Sequence, residues 1–523
     1  MTVSRAIFAT LIMVTVLALP VQYVIDPSVE NIACTCIVLA SALTVLIYLR
    51  GTTALMYHPL SSIALLGFCF SSQLGALLVQ SLTGTSLVGS LYNPLYTFGT
   101  LALYLGIALL VHITYRFFTV NPPTATPVLR GLLAWAGIYR TPSCGALWYM
   151  SCLGLPAFMF WHNDSVLGKI AVGFSFLVWA PFLIPFYSRE IGAAYCNVRL
   201  NKFLLAMYSI AIAIFGLALN ARGIMFAGLS TIGLLYFLAA LRSDTRVSGR
   251  AVRRLTVVAL FLVAIAVPVS DLATAMAIAR QVRGKVSAAV MIHTTLRIWR
   301  QPRVLAAYRA DQLVASRFSA YDEHYIANPI LARLVETKFY DNSFRFARTL
   351  TTEATRAQLR EVSIRFAWAG LPSPLLRAVG INIDKNDLDF SMGDYLAYLS
   401  RGIPLGGRKT GNFFAQGIVL FGPLFPFLYA LICAGLFGIM DLLTIKRTDG
   451  PASISALGML EIWSFFMGGI TYESLHKVLQ YFVRTFSQTV LIYVLVFTPS
   501  RLLSQRAGYK PIVSNAAALQ RSS

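Results

Sequence analysis

Charge is scarce in this chain of 523 residues: 12% are Asp, Glu, Lys or Arg against 57% hydrophobic, and the mean hydropathy is +0.68. A soluble globular domain carries about 25% charged residues, so a soluble enzyme is excluded. Acids are scarcer than bases, 21 against 43 Lys and Arg, and only 6 His are present. The seven cysteines, Cys34, Cys36, Cys69, Cys144, Cys152, Cys196 and Cys433, sit in or beside apolar runs, which implies neither a disulfide framework nor a zinc site. No alternation of apolar and polar residues extends over the roughly 10 positions that a membrane barrel strand needs. Internal repeats and low-complexity stretches are missing. So is any glycine-rich loop with the lysine spacing of a nucleotide-binding motif, which disfavours ATP-driven transport.

What the chain has in plenty is continuous apolar sequence, in stretches of the roughly 20 residues that cross a bilayer as helix. The spacing predicts twelve spans, at 7–25, 31–49, 59–81, 95–115, 144–161, 167–188, 203–219, 224–241, 255–272, 413–440, 452–470 and 485–500. The expected architecture is an all-α polytopic transmembrane bundle with one large helical extracytoplasmic loop. Spans one to nine occupy residues 1–272, the loop 273–411, spans ten to twelve 412–500, and a basic tail 501–523. The run from Ile7 to Ile25 lacks a clear small-residue cleavage site and reads as the first span, not a signal peptide.

The formal net charge of +22 would point to nucleic acid in a soluble protein; here the placement of each cation relative to the spans matters more. With the N-terminus inside, nineteen cations fall in short cytoplasmic segments and tails and four in short segments on the other face. That satisfies the positive-inside rule and puts both termini in the cytoplasm, with no nucleic-acid partner. The other twenty cations and eleven of the acids lie in the 273–411 loop, and long loops cross largely regardless of charge. Between Arg333 and Trp368 the loop reads as amphipathic helix.

Ionisable groups within or beside spans are the first functional candidates, because each costs about 2.5–3.5 kcal/mol to insert. Glu461 lies mid-span, with Asp271 and Asp441 at span ends. Arg222 occupies a very short outer turn, at a depth where its guanidinium fork matches a lipid phosphate; an interfacial snorkelling arginine fits equally. The pairs Arg297 and Arg300, Arg345 and Arg348, Arg356 and Arg360, and Arg408 and Lys409 are adjacent or within one helical turn. They suit a diphosphate, an anionic headgroup or a solvated helix face. The run Tyr321, Asp322, Glu323, His324, Tyr325 combines groups that take protons and stack on sugar rings, although a polar turn explains it as well. Glu473 and His476 form a second such group after span eleven. The acids Asp384, Asp387, Asp389 and Asp394 could hold a divalent cation but lack EF-hand spacing, and no metal is assigned.

The segment from Gly402 to Asp441 carries a resemblance. Gly406-Gly407 and Gly411 end the large loop and lead into Phe413, Phe414, Gly417 and Phe421-Gly422-Pro423. Together with a dozen helices, a large outer loop and outer-face arginines, this resembles the Wzy-type oligosaccharide repeat-unit polymerases of O-antigen and exopolysaccharide biosynthesis. Arg222 to Gly233 also matches that family's pattern of arginine, ten residues and glycine, which the large loop does not repeat. The resemblance implies a glycosyltransferase of the bacterial inner membrane. At the periplasmic face it would move a growing glycan from polyprenyl diphosphate to the next lipid-linked repeat unit, needing no nucleotide or redox cofactor. It implies polyprenyl-diphosphate-linked oligosaccharide and membrane lipids as partners and leaves room for a chain-length regulator. Under it, Arg222, Arg345, Arg348, Arg408 and Lys409 share the diphosphate, and His324 or Glu323, with Glu473 in reserve, takes the acceptor proton. An O-antigen ligase or another polyprenyl-phosphate-dependent glycosyltransferase shares the layout. A transporter or flippase of lipid-linked sugars is the third reading, against which stands the unequal split of nine and three spans.

Overall fold

The computed structural model describes residues 1–506 apart from 121–124, 160–165, 193–194, 283–285, 319–320, 324, 327, 329–330, 372 and 447–449. The chain is a helical membrane bundle. Among the described residues nine helices are long and apolar enough to cross a bilayer: Val3–Ile25, Val29–Gly51, Pro59–Thr83, Pro94–Thr119, Ile170–Ile191, Arg199–Ala218, Arg222–Leu241, Phe413–Leu442 and Leu475–Arg501. The other three expected spans take different forms. Cys144–Phe158 is apolar but short, 255–272 falls within the long helix Gly249–Ala279, and 452–470 is split into Ala456–Leu460 and Ile462–Gly468 at Glu461. The Gly249–Ala279 helix runs through the expected loop boundary at 272, and residues 507–523 of the expected tail lie outside the described residues. Cys144 and Cys196 are joined in a disulfide that the cysteine spacing did not suggest.

Helix starts follow from local chemistry. Thr2, Ser28, Ser143, Asn197, Ser287, Thr352, Ser391 and Asn412 each accept a backbone N–H of the turn they precede. That satisfies one of the donors a helix leaves unpaired, worth about 1 kcal/mol each. Pro59 opens its helix, where a missing N–H costs nothing.

Pro59–Thr83 is the central helix, most of its apolar length buried inside the protein. Its Gly67 meets the chain of the broken span directly: a Cβ there would stand 1.8 Å from the Phe466 carbonyl oxygen. The same helix contains a π turn at Phe70–Leu74, which disturbs the regular ladder and turns carbonyls outward. Ser71 O accepts from Glu336 N at 2.8 Å, and Ser72 O accepts from the Thr337 hydroxyl at 2.7 Å. The large loop is thereby tied into the bundle through the start of its helix Thr337–Ala347.

Between spans, the loop folds into the helices Ala288–Trp299, Pro302–Phe318, Thr337–Ala347, Glu353–Ala369 and Met392–Arg401. The amphipathic stretch expected from Arg333 to Trp368 is two of these. Its apolar residues Phe344, Phe346, Leu350, Leu359 and Phe366 join the same continuous core as the spans, so the loop is a cap packed on the bundle.

Candidate functional site

Two carboxylates fix the cap. Asp341 is fully buried and accepts from Tyr92 N at 2.7 Å, Asn93 N at 3.0 Å and the Thr97 hydroxyl at 3.1 Å. It thus closes the N-terminus of the Pro94–Thr119 helix, where the helix dipole favours an anion. Lys338 Nζ lies 3.5 Å from Asp341 and 4.0 Å from the Tyr92 ring centre; burial pulls this ammonium below its ordinary range. Arg345 stacks over Tyr92 at 3.6 Å, and Arg348 over Tyr96 at 5.1 Å while donating to Asn93 Oδ1 at 3.0 Å. Guanidinium on an aromatic face is a packing contact worth about 0.5–2 kcal/mol. Arg345 and Arg348, two of the five residues expected to share the diphosphate, are therefore engaged in seating the cap.

The second anchor is Asp394, also fully buried. It receives Arg408 N at 2.8 Å, Lys409 N at 3.1 Å, the Lys409 ammonium at 3.1 Å and, in a capping box, Ser391 N at 3.3 Å. Burial opposes its charge, but the bonds from Lys409, Ser391 and Arg408 outweigh it and hold the carboxyl below its usual range. The last member of the acidic run is thus a clasp for the glycine-rich turn. That turn is pressed backbone to backbone on its neighbours: a Cβ on Gly393 would stand 2.4 Å from Lys409 O, and one on Gly411 2.7 Å from Glu473 O. Phe413 N then donates to Tyr472 O at 3.1 Å. Gln416, from the first turn of the Phe413–Leu442 span, bridges Ser363 of the cap and Leu475 N.

This clasp shapes two adjoining cavities. One, of about 550 Å³, has Lys385, Arg408, Lys409 and Lys477 on its walls over an apolar floor that includes Phe366 and Phe390. The other, of about 610 Å³, has Glu336, Glu461 and Glu473 with Tyr340, Tyr472 and Tyr481. Thr410, Glu473, Lys477 and Gln480 line both, so a cationic chamber and a carboxyl-lined chamber meet at Glu473 and Lys477. Lys409 is committed to Asp394. Arg408, at a φ of +52° and largely exposed, lies only 3.7 Å from an equally exposed Asp389, a weak pairing in water. Among the described residues no hydrogen bond or ion pair engages the Glu473 carboxylate, and burial raises its pKa above the usual value, with Asp394 adding to the shift and Lys477 opposing it.

The structure brings together Arg408, Lys409 and Glu473 of the sequence-predicted set. Glu323 accepts from the Tyr321 hydroxyl at 2.8 Å and lines neither cavity. Two residues on, Tyr325 donates to Leu87 O at 2.7 Å and Gln80 donates to Tyr325 O at 3.0 Å. His324 lies outside the described residues. Arg222 begins the Arg222–Leu241 helix and also lines neither cavity; its neighbour Asn220 donates to Met276 O at 2.9 Å, at the end of the Gly249–Ala279 helix. Sequence reasoning missed Lys385, Glu336 and Lys477. Only Lys477 carried a signal, since it follows Glu473 by four residues. No protein-family model, curated protein or solved structure matches the chain.

Proposed function

We propose that the chain is a membrane glycosyltransferase that transfers a growing glycan from polyprenyl diphosphate to a hydroxyl of the next lipid-linked repeat unit. The observation that carries this reading is the junction of the two chambers: cations suited to a diphosphate on one side, and an unengaged carboxylate facing both. In the reaction the acceptor oxygen bonds to the anomeric carbon, the bond from that carbon to the phosphate oxygen breaks, and the electron pair leaves with the diphosphate. Arg408, Lys385 and Lys477 take the charge that builds on the leaving oxygen, and Glu473 takes the acceptor proton. A carboxylate with a pKa raised towards neutrality is better matched to that task than an exposed one. Tyr340, Tyr472 and Tyr481 offer faces for sugar rings. The cap then faces the periplasm of a bacterial inner membrane, with both termini cytoplasmic.

The test compares surface and lipid-linked glycans from cells with and without the gene. Collapse of a ladder to a single carrier-linked repeat supports polymerisation, and full-length glycan stranded on its carrier indicates a ligase. No change overturns both and favours transport. One feature speaks for that last reading, the interruption of the 452–470 segment at Glu461, since an ionisable group within a span is a common element of ion pathways in transporters.

A further inference from the structure

The far end of the Pro94–Thr119 helix carries a second polar assembly, remote from the cap. Thr97, which bonds Asp341, and Arg116 are separated along this helix by about 28 Å at the α-helical rise, close to the thickness of a bilayer core, about 30 Å. The assembly therefore sits at the opposite membrane face. There a chain of hydrogen bonds runs one way. Arg116 donates to the Tyr48 oxygen at 3.2 Å, the Tyr48 hydroxyl to His112 Nδ1 at 2.7 Å, His112 Nε2 to Ser61 Oγ at 3.0 Å, and the Ser61 hydroxyl to Asp441 Oδ2 at 2.8 Å. His58 Nδ1 reaches the same carboxylate oxygen at 2.8 Å. Because Ser61 donates to Asp441, it must accept from His112, which assigns His112 the Nε2–H form. Arg116 is held at its other nitrogen by the Thr53 hydroxyl at 3.1 Å.

Among the described residues Asp441 is the one carboxylate in this network, against Arg116, Lys446 and Arg130, whose guanidinium donates to the main-chain oxygens of Asp441 and Thr444. Neither Arg116 nor Lys446 forms an ion pair among the described residues. Both border a cavity of about 770 Å³ whose other walls include Tyr48, His58, Ile113 and Phe117. Phe117 is 75% exposed, so the apolar wall is continuous with the surface that meets lipid.

We infer that this cavity binds one anionic phospholipid, its phosphate between Arg116 and Lys446 and an acyl chain along Ile113 and Phe117. A fixed guanidinium fork with an ammonium matches phosphate oxygens. The sideways apolar opening selects a bilayer lipid over a soluble anion, and a zwitterionic headgroup would bring its own cation against the two already there. The inference does not depend on the glycosyltransferase reading.

The test purifies the full chain from nanodiscs of equimolar phosphatidylglycerol and phosphatidylcholine and counts retained lipids by native mass spectrometry. The wild type should retain phosphatidylglycerol over phosphatidylcholine by roughly thirtyfold, the scale set by two interfacial cations. The double change Arg116→Gln and Lys446→Gln should bring that ratio near unity. Lys446→Gln alone, at an exposed position outside the hydrogen-bond chain, should lower it partway without disturbing the fold. Equal retention by the wild type overturns the proposal. So does a preference that persists in the double variant, which would put the lipid elsewhere.

Discussion

Replacing Asp394 by Asn tests whether the clasp on the glycine-rich turn organises the cationic chamber. The carboxylate accepts four N–H groups, two from main-chain atoms of the turn and one from the Lys409 ammonium at 3.1 Å. An amide of the same shape keeps one acceptor oxygen, points an NH2 at the remaining donors and leaves Lys409 buried without its counter-charge. Breaking a buried pair from one side costs about 3–5 kcal/mol, so the closed turn should open roughly two to three and a half orders of magnitude more often, at 1.4 kcal/mol per factor of ten. Hydrogen exchange of peptides covering 402–412 in the purified chain reads this opening directly. The pH response has a definite sign. The native carboxyl lies below its ordinary value of 3.8, so its stabilisation is complete above that value and is lost only as pH falls through the lower native one. Wild-type protection, corrected for intrinsic exchange, should therefore stay flat down to about pH 5 and decline in stronger acid, whereas Asp394→Asn should be open throughout. Protection of these amides within about threefold of wild type in the variant would refute the clasp.

Other expectations follow from the same contacts. Glu473→Gln should lower turnover by about 10²–10⁴ fold with protein level unchanged. Because burial raises the native pKa of Glu473 above 4.5, the ionised group weakens the fold at neutral pH. The variant should melt no lower than wild type and lose the acid limb of the activity profile. Asp341→Asn removes the anion at the start of the Pro94–Thr119 helix and should destabilise the cap by about 3–5 kcal/mol, seen as a lower Tm. Arg345→Ala should cost about 1–2 kcal/mol of stability through the Tyr92 stack yet retain activity, while Arg408→Ala should abolish activity at normal protein levels; the reverse pattern would return the diphosphate site to the Arg345 helix. Gly411→Ala drives a Cβ to 2.7 Å from the Glu473 carbonyl oxygen and should abolish activity with helical circular dichroism intact.

Bundle architecture was legible because apolar length is a one-dimensional property: eight of the expected spans recur within a few residues of their sequence bounds, and the last, expected at 485–500, begins ten residues earlier at Leu475. In the 452–470 segment the main chain of Phe466 lies against Gly67 and Gly469 lies against Ala64, both of the central helix, and apolar length alone does not register such contacts. The candidate site was legible in part. Glu473, Arg408 and Lys409 stood out by residue type, but the partnership of Asp394 with the 408–409 turn spans 14 residues and depends on two left-handed glycines, Gly402 and Gly406. Glu336 reaches the site only through the π turn at Phe70–Leu74, a deviation in another helix that its own sequence does not announce.

The same geometry gives the two cation pairs different surroundings. Arg345 and Arg348 lie three residues apart on a regular helix whose other side is apolar, so folding that helix onto the bundle carries both guanidinium groups onto the nearest aromatic faces, Tyr92 and Tyr96. Stacked there, their stems cover apolar surface and their charge is fixed in place. Arg408 and Lys409 adjoin each other in a turn, and a turn sends successive side chains apart. Lys409 goes inward to Asp394, while Arg408, in the left-handed region, goes outward to the cavity wall. A cation in a helical pair tends to be drawn into packing; a cation beside a clasped partner in a turn is presented. Moving the paired spacing onto the turn, by deleting Gly407, should therefore abolish the chamber without removing any charge, and intact activity in that deletion would show that charge count, not presentation, is what the site requires.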